Sequence, residues 1–246
     1  MVLEEVIQRM QSLYSKGVHS KNTRLKSRHI YSATCTARNI LLAQQSDKNQ
    51  STNQWAYQTL GCIELIKSSP IECNVVNLPK GCNILRSKNK IPKIVSNKKS
   101  LMIQSITTLD GNTEIYKTKF STRKYVSGNK YTANHYRCFI HNEYLYVIIA
   151  KELKAVTMVA VFDSPIDAFL FPELCDCNND CKDIMTMEYP IDGDLVWPML
   201  QIASKELILL LKQMTEDKSN NASDDSSTSG VIVHDTGNST DNGNQE

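Results

Sequence analysis

Apolar residues at the start of the chain recur with the period of an α-helix. Val2, Leu3, Val6, Ile7, Met10 and Leu13 share one face, and the stripe ends before Gly17. A basic polar connection leads to a second stripe, about Thr23 to Gln45, built from Leu25, Ile30, Ala33, Ala37, Ile40 and Leu41. The opposite face of this second helix is read as carrying Arg24, Lys26, Arg28 and Arg38. The polar run QQSDKNQSTNQ stops it, and from Trp55 the period is that of strands. The segments QTLGCIELI, CNILRS, LMIQSITTL, TEIYKTKF, YRCFI, YLYVII and AVTMVAVF are each rich in β-branched or aromatic residues. Asp110-Gly111 between SITTL and NTEIY predicts a hairpin, because this dipeptide accepts the positive φ of a tight turn. His141 to Glu143 joins CFI to YLYVII in the same way. Residues 86–99, basic and holding a proline, read as an exposed loop or arm rather than a core element.

Helical spacing returns after Phe162. DSPIDAFLF predicts a short helix capped by Asp163 or Ser164, with Pro165 in its first turn. A longer one runs from PIDGD through Met214, with Asp192 or Asp194 as N-cap. These aspartates are read as caps that also suit the helix dipole, in preference to a metal or acid/base pair. From Thr215 the chain is Asp, Asn, Ser, Thr and Gly, which bury too little to offset their ordering entropy. Val231, Ile232 and Val233 form the one apolar patch there that is able to dock. The expected fold class is therefore α+β. N-terminal helices (1–48) and a C-terminal helical segment (163–214) pack together, an antiparallel β domain (55–162) is inserted between them, and a disordered acidic and polar tail (215–246) follows.

With 41% hydrophobic and 22% charged residues over 246 positions, the composition suits a chain that buries a real core. No apolar run reaches the roughly 18 residues of a membrane span, and the acidic start MVLEEVIQRM lacks the features of a secretion signal. The expectation is a protein that stays in the cytoplasm where it is made. The net charge of +2 conceals a strong asymmetry. Residues 1–137 hold 22 Lys and Arg against 7 Asp and Glu, a net +15, and the remainder carries −13. Such a dipole suits a basic face meeting nucleic acid, head-to-tail copies whose opposite ends attract, or simply two solvated surfaces.

A search for reaction chemistry finds no phosphate-cradling glycine loop, no nucleophile elbow and no H-E-x-x-H pair. No catalytic or cofactor-binding residue is assigned, and an enzyme is not expected. The eight cysteines, in a chain without a signal, are read as mainly reduced, with Cys35, Cys62 and Cys138 as small core residues. Cys175, Cys177 and Cys181 in CDCNNDCKD are the candidate metal set. Cys73, Cys82 or Cys138 would supply a fourth ligand, although C-x-C-x3-C departs from the paired C-x2-C of zinc sites. Surface thiols are the simpler reading, and apart from a structural zinc no cofactor enters. In YKTKFSTRKYVSGNKYTANHYR, aromatic and basic residues interleave as in a strand-stacking nucleic-acid surface. Plain strand alternation, aromatics inward and lysines outward, accounts for the same pattern.

Several phrases together resemble one family. SLYSKGVHSKNTRLKSRHIYSATCTARNILLAQQ, NQWAYQTLGCIELIKSSPIEC, GCNILRSKNKIPK, LMIQSITTLDG and EYPIDGDLVWPMLQIASKELI, collinear over about residues 10–214, are similar to structural ring proteins of crAss-like phages. The resemblance implies a virion part assembled in the host cytoplasm. It would form a closed ring, twelvefold to follow the portal, in the connector between portal and tail around a channel that DNA crosses in transit. The implied partners are further copies of itself, the portal protein and neighbouring ring or tail proteins. The dipolar subunit suits the heterologous contact of a cyclic ring. Arg24, Lys26, Arg28, Arg38, Lys88, Lys90 and Lys93 are the candidate contacts with those neighbours. A nucleic-acid-binding module using the basic N-terminal half is the alternative from another class, and a zinc-dependent structural or catalytic protein is a third.

Overall fold

The structure, a computed structural model, describes residues 1–14, 25–48, 50–68, 84–122, 135–148, 153–172 and 183–223, with side chains of the last segment through 209. The chain folds as two units, Met1–Ser204 and Lys205–Glu246. The first begins with α1 (Leu3–Tyr14), which buries Leu3, Val6, Ile7 and Met10 as its stripe requires. Helix α2 (Ser27–Asp47) follows, starting later and ending later than its apolar pattern suggests. It lies against α1, and α1 also meets a 3-10 turn at Ile184–Thr186.

Among the described residues seven strands come next: β1 (Gln58–Lys67), β2 (Ile84–Ser87), β3 (Ile103–Thr108), β4 (Tyr116–Lys117), β5 (Arg137–His141), β6 (Tyr144–Ile148) and β7 (Ala155–Ala160). They form one sheet in the order β3-β7-β1-β2-β6-β5-β4. Every pairing is antiparallel except β4 with β5, which is parallel and departs from the wholly antiparallel expectation. That exception is what nearly closes the sheet. After β3 the chain turns at Gly111 (φ +70°) and runs back along it, with Thr107 bridged to Glu114 and Ile115 N donating to Ile106 O at 2.8 Å. It then crosses to the other edge, where Tyr116 and Lys117 pair with Arg137 and Cys138. Residues 113–118 thus serve both edges of the sheet, and Ile115, between the two pairings, is buried in its core.

The interior is the product of period-2 burial. Leu60, Ile63, Ile106, Leu145, Val147, Val156 and Met158 are buried in one cluster with Cys138 and Phe162. Each large aliphatic side chain so enclosed contributes about 1.5–3 kcal/mol. The β5–β6 hairpin has the turn foreseen at His141–Glu143, with Asn142 and Glu143 at φ 50° and 66°. Outside the sheet a second cluster forms from Ile84, Phe139 and Tyr146, where the Phe139 and Tyr146 rings stack at 5.2 Å.

Residues 86–99 are not a free arm. Ile91, Ile94 and Val95 are buried, Val95 N donates to Val161 O at 2.9 Å, and Met102 N donates to Val95 O. Three apolar side chains in a basic stretch suffice to hold it on the end of the sheet, where Val95, Met102 and Val161 meet Leu42 of α2. Helix α3 (Pro165–Phe169) is capped by Ser164, whose Oγ accepts from Asp167 N. Helix α4 (Gly193–Ser223) opens after Asp192, with Asp194 in its first turn and Pro198 inside it. The helix runs past Met214 to Ser223, so Thr215–Ser223, expected to open the tail, are helical. Of the second unit the structure describes this helical continuation. The expected tail from 224 onward lies outside the described residues.

Candidate functional site

The polar centre of the first unit is built on Arg38. Sequence spacing put it on the outer face of α2, but its side chain is 0% exposed. It is therefore an interior residue and presents no surface to a neighbour. Its Nε donates to Pro190 O at 2.6 Å, Nη1 to Phe162 O at 2.9 Å and to Asn39 Oδ1 at 3.0 Å, and Nη2 to Ala56 O at 3.2 Å. Burial pulls its pKa down, opposed by the nearby Tyr189 and Cys35. A planar fork with five donors is the side chain suited to three carbonyls arriving from different directions. The chemistry is that of a clasp, binding α2 to the turn before β1, the end of the sheet and the approach to α4.

Around it lies a layer of hydroxyl and thiol groups. Tyr189 Oη donates to Cys35 Sγ at 3.8 Å, and Tyr31 Oη is 3.1 Å from Ser164 Oγ while accepting from Ile166 N. Burial raises the pKa of Tyr189, Tyr31 and Cys35 alike. These groups stay neutral and act as hydrogen-bond partners. Asn39 extends the layer outward, its Nδ2 donating to Asp163 O at 2.9 Å and Asp163 Oδ1 at 2.5 Å.

The remaining candidate contacts divide. Lys93 reaches Asp163 at 3.7 Å, which joins it through Asn39 to the Arg38 clasp. Lys88 pairs with Glu64 at 2.7 Å and Lys90 with Glu143 at 3.0 Å. Exposed pairs of this kind add little to stability, and each already has an acidic partner within its own chain. Lys26 is exposed at the start of α2, its carbonyl accepting from His29 N and Ile30 N. Arg28 and Lys93 together line a groove of about 600 Å³ between α2 and residues 93–96. Arg24 and the cysteine set Cys175, Cys177 and Cys181 lie outside the described residues. Among the described residues no group of three metal-ligating side chains occurs. Cys35 and Cys138 are free and buried as expected, whereas Cys62 is disulfide-bonded, which corrects its reading as a reduced core thiol.

The aromatic and basic series also reads differently in three dimensions. Tyr116 is exposed and meets His135 edge-on at 5.5 Å, so strand alternation does not turn it inward. Phe120 lies flat on His141, with centroids 4.1 Å apart. Residues 123–134 of the series lie outside the described residues.

Features missed by sequence spacing are two tryptophans in solvent. Trp197 in α4 is 57% exposed and shares a groove of about 540 Å³ with Gln8, Arg9 and Leu13 of α1. Trp55 is 62% exposed beside a second groove bounded by Tyr189, Pro190 and Val196. For Trp197 the signal was its phase: the buried α4 positions among those described are Met199, Leu200, Ala203 and Leu207, which leaves Trp197 off that stripe.

The frame these residues build is a near-closed sheet clasped to helices by a buried arginine, with two tryptophans in solvent. The chain matches the family described as phage tail ring protein 2 over residues 5–226, and it belongs to that family of crAss-like phage ring proteins. None of the curated proteins matches it. Membership makes it a virion structural protein of the phage tail, a family whose members associate into rings. No helix among the described residues is long and apolar enough to cross a membrane.

Proposed function

We propose that this chain is a ring subunit of the connector that bridges portal and tail in a short-tailed virion, encircling the channel through which DNA passes. The observation that carries this reading is the ring-family match, which spans both the sheet and the helical elements. A cyclic ring needs one flank of each subunit to meet a different flank of the next. The sequence carries +15 in residues 1–137 and −13 after them, opposite charges that neighbouring copies can set against one another. Exposed Trp55 and Trp197 supply apolar anchors of the type that dominate interface energetics. In this reading the helical elements, α1 with the first turns of α4, form one docking face, and the copy number is twelve to follow the portal. The basic charge is spent on protein neighbours, because each phosphate neutralised by a channel lysine would add affinity and slow DNA passage.

Light scattering on the purified chain tests this, alone and then mixed with portal rings, at two salt concentrations. The expected result is a 27.8 kDa monomer that joins the portal as a ring. A chain that ignores the portal and instead binds DNA in a salt-dependent manner would overturn it.

A further inference from the structure

The closure of the sheet is incomplete in a specific place. β4 pairs with β5 only at Arg137 and Cys138, and the returning chain bridges β3 at Thr107. Past Thr118, whose N–H donates to Cys138 O, the chain leaves the sheet and Phe120 lies against Phe139 and His141, so the start of β3 at Ile103 and the end of β5 have, among the described residues, no strand between them. What separates them is a cleft of about 460 Å³ lined by Leu101, Ile103, Phe120, Ile140 and the stems of Lys99 and Lys117. Lys117 Nζ reaches across it to donate to Ile103 O. Lys119 stands at the same rim, and Leu101 there is 38% exposed. The backbone groups of Ile103 are already bonded, N–H to Leu101 O and carbonyl to Lys117, so the cleft offers an apolar floor and a cationic rim, which suit a segment that is apolar in the middle with acidic residues on either side.

One segment of this chain has that composition. Val231, Ile232 and Val233 are its only apolar run after Ser223, preceded by Asp224 and Asp225 and followed by Asp235. β-branched residues favour the extended form. Residues 224–230 span roughly 25 Å when extended, enough to carry the run away from the end of α4 toward another subunit. We propose that Val231–Val233 of one copy docks in the apolar cleft between β3 and β5 of the next copy. The acidic flanks would meet Lys99, Lys117 and Lys119. The inference rests on the ring reading above, since the donor and the acceptor are different copies, and it explains how a polar tail contributes to a closed assembly. A segment that orders only on binding need not fold in the isolated subunit.

The test uses the full-length chain carrying a photoreactive benzoylphenylalanine in place of Leu101. Unlabelled and nitrogen-15-labelled copies are mixed before assembly. Irradiated rings should yield cross-links between the cleft and the peptide holding Val231–Val233, with light and heavy chains joined. Rings whose cross-links map elsewhere, or join only the cleft and tail of the same chain, would overturn the cleft assignment and leave the ring reading standing. A chain that remains monomeric with portal present would overturn both. In a second arm, Ile232→Asp should lower the ring fraction at least tenfold with an unchanged melting temperature, and an unchanged ring fraction would overturn the proposal.

Discussion

Arg38 shows how much one side chain holds in place. Removing its guanidinium leaves the carbonyls of Ala56, Phe162 and Pro190 buried without a donor. Each such orphan costs about 1–3 kcal/mol, offset in part because a cation no longer has to be desolvated. Arg38→Met is therefore expected to lower unfolding stability by about 2–5 kcal/mol in urea titrations. Arg38→Lys should do no better, since one ammonium cannot reach three separated carbonyls. A loss below about 0.5 kcal/mol in either variant would contradict the clasp. Cys138 makes a second prediction at this scale. Burial pushes its thiol up to about 12 from an ordinary 9.0, so the folded chain keeps it neutral while the unfolded chain ionises it. Its stabilising contribution is complete below pH 9 and is lost as pH rises toward 12, at no more than about 1.4 kcal/mol per pH unit. Urea midpoints measured from pH 8 to pH 11 should fall, and fall less steeply in Cys138→Val. Equal slopes would show that the thiol does not titrate as described.

Among the elements, the β3 turn carries the closure of the sheet, and its glycine is required by conformation alone. A Cβ on Gly111 would meet nothing within 4 Å, but φ is +70°. Gly111→Ala is expected to cost about 1–2 kcal/mol as backbone strain. Gly193 supplies the control: it too has open space, without positive φ, at the first position of α4. Gly193→Ala should raise stability by about 0.4–1 kcal/mol, and thermal melts of the two variants should move in opposite directions. The elements legible in the sequence were those encoded locally. Asp110-Gly111 and the turn at Asn142 announced their hairpins, and the stripe of α1 named its buried face from Leu3 to Met10 but not at Leu13, which is exposed. The parallel pairing of β4 with β5 was not legible, because it joins residues distant along the chain and leaves no local period. Residues 86–99 were misread because their lysines outnumber the apolar positions that anchor them.

For the molecule as a whole, assembly rather than folding is the expected role of the exposed tryptophans. Trp55→Ser with Trp197→Ser should leave subunit stability within about 0.5 kcal/mol, since neither residue is buried in the subunit. Sedimentation of the double variant with portal should show monomer where the parent chain forms rings. A ring that persists would remove these grooves from the assembly surface. Little of this surface was readable beforehand. Basic residues drew the eye to Arg38, Lys88 and Lys90, yet the first is interior and the others face carboxylates of their own chain. Charge along a sequence does not reveal which cations are already partnered, whereas Arg28 and Lys93 do meet at one groove.

The Arg38 clasp also orders events in time. Its acceptors lie as far away as Pro190, 152 residues later in the chain. At about 5–20 residues per second of synthesis, the arginine waits roughly 8–30 s, hydrated, before its last partner exists. The clasp is complete only once nearly all of the first unit has been made. Nascent fragments ending before Pro190 lack one of its three carbonyl acceptors.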